Sequence, residues 1–135
     1  GKRMSIFGDG SQTRAFSYIG DIVPILADAI ETPGAYNEIF NVGADQNYSV
    51  KDLAVAVANA MNVEPGIAFL PARNEVLNAY SSHEKVERIF GSKAKTSLED
   101  GLSRMAAWVK QHGVRSSQKF KNIELMKNFP AAWLD

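Results

Sequence analysis

The sequence predicts an α/β (α+β) fold of about four helices with short strands, and three observations carry that expectation. Apolar residues recur at helical spacing in several stretches, two of them opened by a serine with an aspartate three residues on. Short apolar runs of strand length lie between these stretches and end at glycine or proline. With 135 residues, 45% hydrophobic and 22% charged, the chain is long and apolar enough to bury a core without staples.

Taken in order, Met4 to Phe7 reads as a strand ended by Gly8-Asp9-Gly10, and Phe16 to Ile19 as a second extended piece. From Asp21 a helix carries Ile22, Ile25, Leu26, Ala29 and Ile30. Pro24 is tolerable in its first turn, and Thr32-Pro33-Gly34 stops it. Glu38 to Gly43 is a compact apolar strand. Ser49 then opens a capping pattern with Asp52, and Leu53, Ala54, Val57, Ala58 and Met61 form the apolar face of a helix. Ile67 to Leu70 is a strand and Pro71 to Glu75 an irregular loop. Ser82 caps a short helix through Phe90, which Gly91 ends. Ser97 caps a longer one to His112, with Leu98, Leu102, Met105, Ala106 and Val109 as its stripe. We expect one domain over residues 1–114 and a tail over 115–135 that packs on it or on a partner.

Composition excludes several classes of function. Fifteen basic residues balance fifteen acidic ones, which argues against a nucleic-acid binder built on a basic face. No cysteine is present, so disulfides, thiolate metal sites and cysteine catalysis are out. No apolar run reaches membrane-spanning length and no signal-peptide core is visible, so no membrane partner and a cytoplasmic location are expected. The chain starts at Gly1 rather than Met, from which we expect a piece of something longer. His83 at a helix start reads as a surface or capping residue. His112 suits a helix C-terminus, and neither has the partners of a metal site. Ser11 and Ser17 have no His base nearby.

The chemistry sits in the turn Gly8-Asp9-Gly10-Ser11-Gln12-Thr13, which delivers Arg14 beside Phe16-Ser17-Tyr18. An arginine held at the edge of folded structure can grip phosphate oxygens in two places at once. This segment resembles the GDGSQTRDF-x-Y-x-x-D signature of the extended short-chain dehydrogenase/reductases, the NAD-dependent epimerase/dehydratase family. Phe40-Asn-Val-Gly43 with Tyr48-Ser-Val-Lys-Asp-Leu53 is similar to that family's FNVG…YSV-x-x-L. Pro71-Ala-Arg73 through Phe90-Gly91 and Ser97-Leu-Glu-Asp-Gly-Leu102 match two further family motifs in family order.

The resemblance implies the C-terminal, substrate-binding portion of a nucleotide-sugar 4-epimerase, with a UDP-sugar as ligand. Arg14 would bind the diphosphate, Phe16 would lie near the nucleotide, and Arg73 would be a second cation. Glu75 would accept hydrogen bonds from the ribose hydroxyls, as suits a carboxylate facing a vicinal diol. A local ion pair between Arg73 and Glu75 is the plainer alternative. Ala15 stands where the family usually has Asp, and the Arg73–Glu75 loop is one residue shorter than the common form.

The rest of the family's machinery is missing from the sequence. No Gly-x-x-Gly-x-x-Gly or Gly-x-Gly-x-x-Gly occurs between a strand and a helix, so the Rossmann core and its cofactor site are not expected in this chain. The family's Tyr-x-x-x-Lys pair is absent too, because Tyr18, Tyr36, Tyr48 and Tyr80 are followed four residues on by Ile22, Phe40, Asp52 and Glu84. NAD and an N-terminal Rossmann domain are therefore expected in the complete enzyme, and no catalytic residue, cofactor or metal in this chain. The family's chemistry there moves a hydride from sugar C4 to NAD and returns it to the opposite face. A dehydratase or reductase fragment and a free-standing binding module are the alternatives, and self-pairing through exposed apolar surface is a further expectation.

Overall fold

The computed structural model describes residues 2–91 and 95–114, so the expected tail over 115–135 lies outside the described residues. Five strands and four helices follow one another: β1 Met4–Phe7, β2 Thr13–Ala15, α1 Ile19–Asp28, β3 Asn47–Ser49, α2 Val50–Met61, β4 Ile67–Leu70, β5 Asn78–Ala79, α3 Glu84–Phe90 and α4 Leu98–His112. A 3-10 turn, Pro33–Ala35, follows α1. The mixed class and the number of helices agree with the sequence.

Two small sheets form among the described residues. β1 pairs with β4 in parallel, Met4 opposite Ile67 and Phe7 opposite Leu70. β2 is the centre of the second sheet, antiparallel to β3 and parallel to β5, with Arg14 opposite Tyr48 on one side and Ala79 on the other. The core lies where α2 packs on α4 and beneath β1. Ile6, Ala54, Ala58, Leu98 and Ala106 are buried there, and Val86 of α3 is buried separately beside a cavity against α1. Small side chains at Ala54, Ala58 and Ala106 let the two helices approach closely, since a bulkier residue would hold the backbones apart. No helix among the described residues is long and apolar enough to cross a membrane.

The helix starts follow their caps. Ser49 Oγ accepts from the Asp52 N–H and the Asp52 carboxylate reaches back to Ser49, a complete capping box. The next donors of α2 are used as well: the N–H of Val50 donates to the Gln12 carbonyl at 3.0 Å and that of Lys51 to the Gly10 carbonyl at 3.1 Å. The glycine turn is thereby fastened to the positive end of α2. Ser97 Oγ accepts from the Asp100 N–H at 3.1 Å and starts α4.

Four elements differ from expectation. The second strand falls at Thr13–Ala15 rather than at Phe16–Ile19, because its backbone is satisfied there by β3 and β5. Helix α1 starts at Ile19, which moves Pro24 into its second turn, where it forgoes a bond to the Gly20 carbonyl. Residues 38–43 form no strand: no neighbouring backbone among the described residues pairs with them, and Ile39 is 86% exposed. They are tied instead by side chains of α3, since Lys85 Nζ donates to Glu38 at 2.6 Å and to the Ile39 carbonyl at 2.9 Å, and Phe40 meets Phe90 edge-on at 5.5 Å. Helix α3 begins after His83 rather than Ser82; His83 makes no side-chain cap bond, but the Ser82 hydroxyl accepts from the Glu84 N–H at 3.4 Å.

Candidate functional site

The site is built outward from the end of β1. Gly8 and Gly10 both take positive φ, 73° and 80°, and only glycine adopts these without strain. At Gly10 space is a second reason, because a Cβ would stand 3.0 Å from that of Lys51 at the start of α2. Between the glycines, Asp9 Oδ1 accepts from the Ser11 N–H at 2.9 Å and closes the turn; hydrogen bonds from the Ser11 hydroxyl first and its N–H second hold the Asp9 carboxyl below the usual range. The chain then enters β2, where Thr13 Oγ1 donates to Asn78 Oδ1 at 2.8 Å and locks the register with β5.

Arg14 emerges from β2 with its guanidinium already oriented. One terminal nitrogen donates to the Thr13 carbonyl at 2.7 Å and to the Leu77 carbonyl at 3.3 Å, and the other to Glu75 Oε2 at 3.2 Å. Those contacts use three of the five N–H donors an arginine carries and leave a donor pair for an anion. Glu75 is shared: its Oε1 accepts from the amide of buried Gln12 at 3.2 Å, and the same amide donates to the Phe7 carbonyl at 2.9 Å. With Ala15 after the arginine, a carboxylate sixty-one positions away and two carbonyls do the orienting. The pair is half open to water, 28% and 38% exposed at its two side chains, so it contributes little to stability.

Arg73 forms no local pair with Glu75 and lies over the Phe7 ring, its guanidinium carbon 3.1 Å from the centroid. Phe7 therefore joins the two arginines, its carbonyl holding the Gln12–Glu75–Arg14 chain and its ring carrying Arg73. Phe16 is elsewhere: it lines an apolar groove of about 330 Å³ with Tyr18, Leu53, Val57, Leu102 and Met105. A smaller cavity of about 30 Å³, with room for a water molecule or two, lies between α1, residues 42–44 and α3, and none of the four expected site residues lines it. The arginine cluster itself is open surface.

Sequence reasoning missed a second polar cluster. His83 is buried, 6% exposed, rather than at the surface. Its Nδ1 hydrogen-bonds the Asp45 carboxylate and its Nε2 lies 3.1 Å from Ser81 Oγ. Lys95 donates to Asp45 and, at 3.0 Å, to Glu87. The His83 bond first and the Lys95 bond second hold the Asp45 carboxyl below its ordinary value, while Asp45 raises Lys95. Gly43 makes this possible, because a Cβ there would stand 3.2 Å from His83 Nε2 and 3.1 Å from Ser17 Oγ. Partners thirty-eight residues apart leave no local signal. Among the described residues no group of His, Cys, Asp and Glu could hold a metal ion.

This fold and this arginine-bearing turn make the chain the counterpart of the C-terminal part of the extended short-chain dehydrogenase/reductases, the NAD-dependent epimerases and dehydratases. Its relatives include nucleotide-sugar epimerases. The chain is 30% identical over 135 residues to the UDP-glucuronate 4-epimerase of Thermodesulfobacterium geofontis, covering 94% of this chain and 36% of the relative. Among solved structures, the UDP-glucose 4-epimerase of Thermotoga maritima with UDP-glucose superposes with a TM-score of 0.74 at 26% identity, covering 82% of this chain and 35% of that one. The UDP-glucuronic acid 4-epimerase of Bacillus cereus, in complex with UDP-glucuronic acid and NAD, gives 0.73 at 28% identity, covering 82% and 36%. No protein-family model matches the chain. The chain spans about a third of the length of the curated relatives it matches.

Proposed function

We propose that this chain is the UDP-binding part of an NAD-dependent 4-epimerase, most like UDP-glucose 4-epimerase, and that it does not turn over alone. The observation that carries the reading is the orientation of Arg14, half-buried, fixed by three acceptors and retaining unused donors at the end of a glycine turn fastened to α2. Such a fork suits the diphosphate of a nucleotide-sugar. Arg73, stacked on Phe7, is the second cation for the phosphates or the uridine side. Glu75 keeps one acceptor site on each oxygen beyond its bonds to Gln12 and Arg14, enough for two ribose hydroxyls. Phe16 lines the separate apolar groove and takes no part in the proposed phosphate and ribose contacts.

The upstream part of the complete protein would hold NAD, which supplies reversible hydride acceptance. Its docking surface on this chain is the outer face of α1, where Ile19, Val23 and Leu26 are more than half exposed or close to it, together with Ile30 and Ile39. The extended residues 38–43, tied by α3 and lacking a strand partner among the described residues, belong to the same surface. A free-standing binding module would have no use for that much uncovered apolar area. Self-pairing of the isolated chain through this face is the expected substitute for the missing domain.

The experiment is a proton-NMR time course of UDP-galactose with NAD, following the anomeric signals. The full-length protein is expected to produce UDP-glucose and the purified 135-residue chain none. Conversion by the isolated chain, or none by the full-length protein, would overturn the reading.

A further inference from the structure

Gln12 has no role in the reading above, yet it is the most buried polar side chain near the arginine cluster, 8% exposed. A buried amide is kept only where its hydrogen bonds are made. Its Nε2 makes two, to the Phe7 carbonyl at 2.9 Å and to Glu75 Oε1 at 3.2 Å. The first acceptor is rigid, since Phe7 ends β1 and is in register with Leu70 of β4. The second is a carboxylate on the loop before β5, whose other oxygen faces Arg14 at 3.2 Å. The Gln12 backbone is fixed too, its carbonyl accepting from the first N–H of α2 at 3.0 Å. One side chain thus connects the strand that carries Arg73 on its last ring with the carboxylate that turns Arg14.

We propose that Gln12 is a positioning residue for nucleotide-sugar binding, holding Glu75 so that the Arg14 fork faces the ligand's phosphates. The proposal rests on the assignment of Arg14 to the diphosphate. Without the amide, Glu75 is free to rotate toward solvent or toward Arg73, and Arg14 keeps only its carbonyl acceptors. Gln12 acts through Glu75 and Arg14, not on the ligand, so its effect must shrink when Arg14 is gone, leaving only its hold on the ribose contacts of Glu75.

The test is a set of UDP titrations on the full-length protein with Gln12→Met, Arg14→Ala and the double variant, beside the parent. Gln12→Met is expected to weaken UDP about three- to tenfold in the parent background and clearly less beside Arg14→Ala. The Arg14 guanidinium resonances in nitrogen-15 spectra should broaden in Gln12→Met, a change that loss of stability alone does not produce in folded protein. Unchanged affinity for Gln12→Met, or the same loss in both backgrounds, overturns the proposal while leaving the Arg14 assignment in place. Unchanged affinity for Arg14→Ala overturns both. If Gln12→Met does not fold, Gln12→Glu replaces it: two carboxylates about 3 Å apart share a proton. Its UDP affinity relative to the parent should then fall as pH rises from about 5 to 8. A flat ratio would overturn the proposal.

Discussion

Glu75→Gln separates the two tasks proposed for one carboxylate. Its Oε2 faces Arg14 and its Oε1 the Gln12 amide, both at 3.2 Å, and each oxygen has one further site for a ribose hydroxyl. The amide keeps the shape but replaces one acceptor by a donor, which must oppose either the Arg14 fork or the Gln12 amide. The pair is partly exposed, so its direct energy is small, and the loss in binding should come from hydroxyls that exchange a charged acceptor for a neutral one. That exchange is worth about 1–2 kcal/mol. The assay is calorimetric titration of the full-length protein and the Gln variant with UDP and with 2′-deoxy-UDP. The account predicts that the loss is smaller with the deoxy ligand, because one of the two lost partners is then already missing, and nearly vanishes where the 2′ hydroxyl is the main partner. Equal losses with both ligands would refute the ribose contact and leave Glu75 only its hold on Arg14.

Other perturbations test the scaffold. The isolated chain should show no NAD binding in fluorescence titration, since the sequence has no glycine-rich dinucleotide turn. Ser49→Ala removes the cap of α2 and should cost about 1 kcal/mol in urea unfolding. Asp45 has its carboxyl held below an ordinary 3.8, so the stability it contributes is present above that value and is lost as pH falls through the lowered one. Asp45→Asn should accordingly lower the melting temperature at pH 7, with a gap to the parent that closes below about pH 4. Lys95, raised above 10.5, sets the opposite limit, its contribution being lost as pH rises through the raised value.

The elements legible in the sequence are those whose signals are local. β1, β4, α2 and α4 stand where the apolar runs and the Ser49 and Ser97 caps put them, because a cap and the stripe behind it lie within a few turns. The strands of the second sheet are two or three residues long, so pairing decides them and propensity does not. Residues 38–43 have the composition of a strand, and composition cannot supply the neighbour a strand needs. Within the candidate site, the place of Arg14 just after the glycine turn was legible. The bonds from Gln12 and Arg14 to Glu75 were not, since they span more than sixty residues. The burial of His83 was likewise invisible, because its partner Asp45 and the room left by Gly43 belong to another part of the chain.

The central claim is that Arg14 grips the diphosphate, and the most direct measurement compares UDP with uridine on the full-length protein and on Arg14→Ala. Removing a charge-assisted fork from a phosphate should cost about 2–4 kcal/mol for UDP and leave uridine, which has no phosphate, bound as before. Arg14→Lys should recover only part of the UDP loss, because an ammonium cannot reproduce the fork. UDP bound as tightly by Arg14→Ala as by the parent, or uridine weakened as much as UDP, would contradict the account.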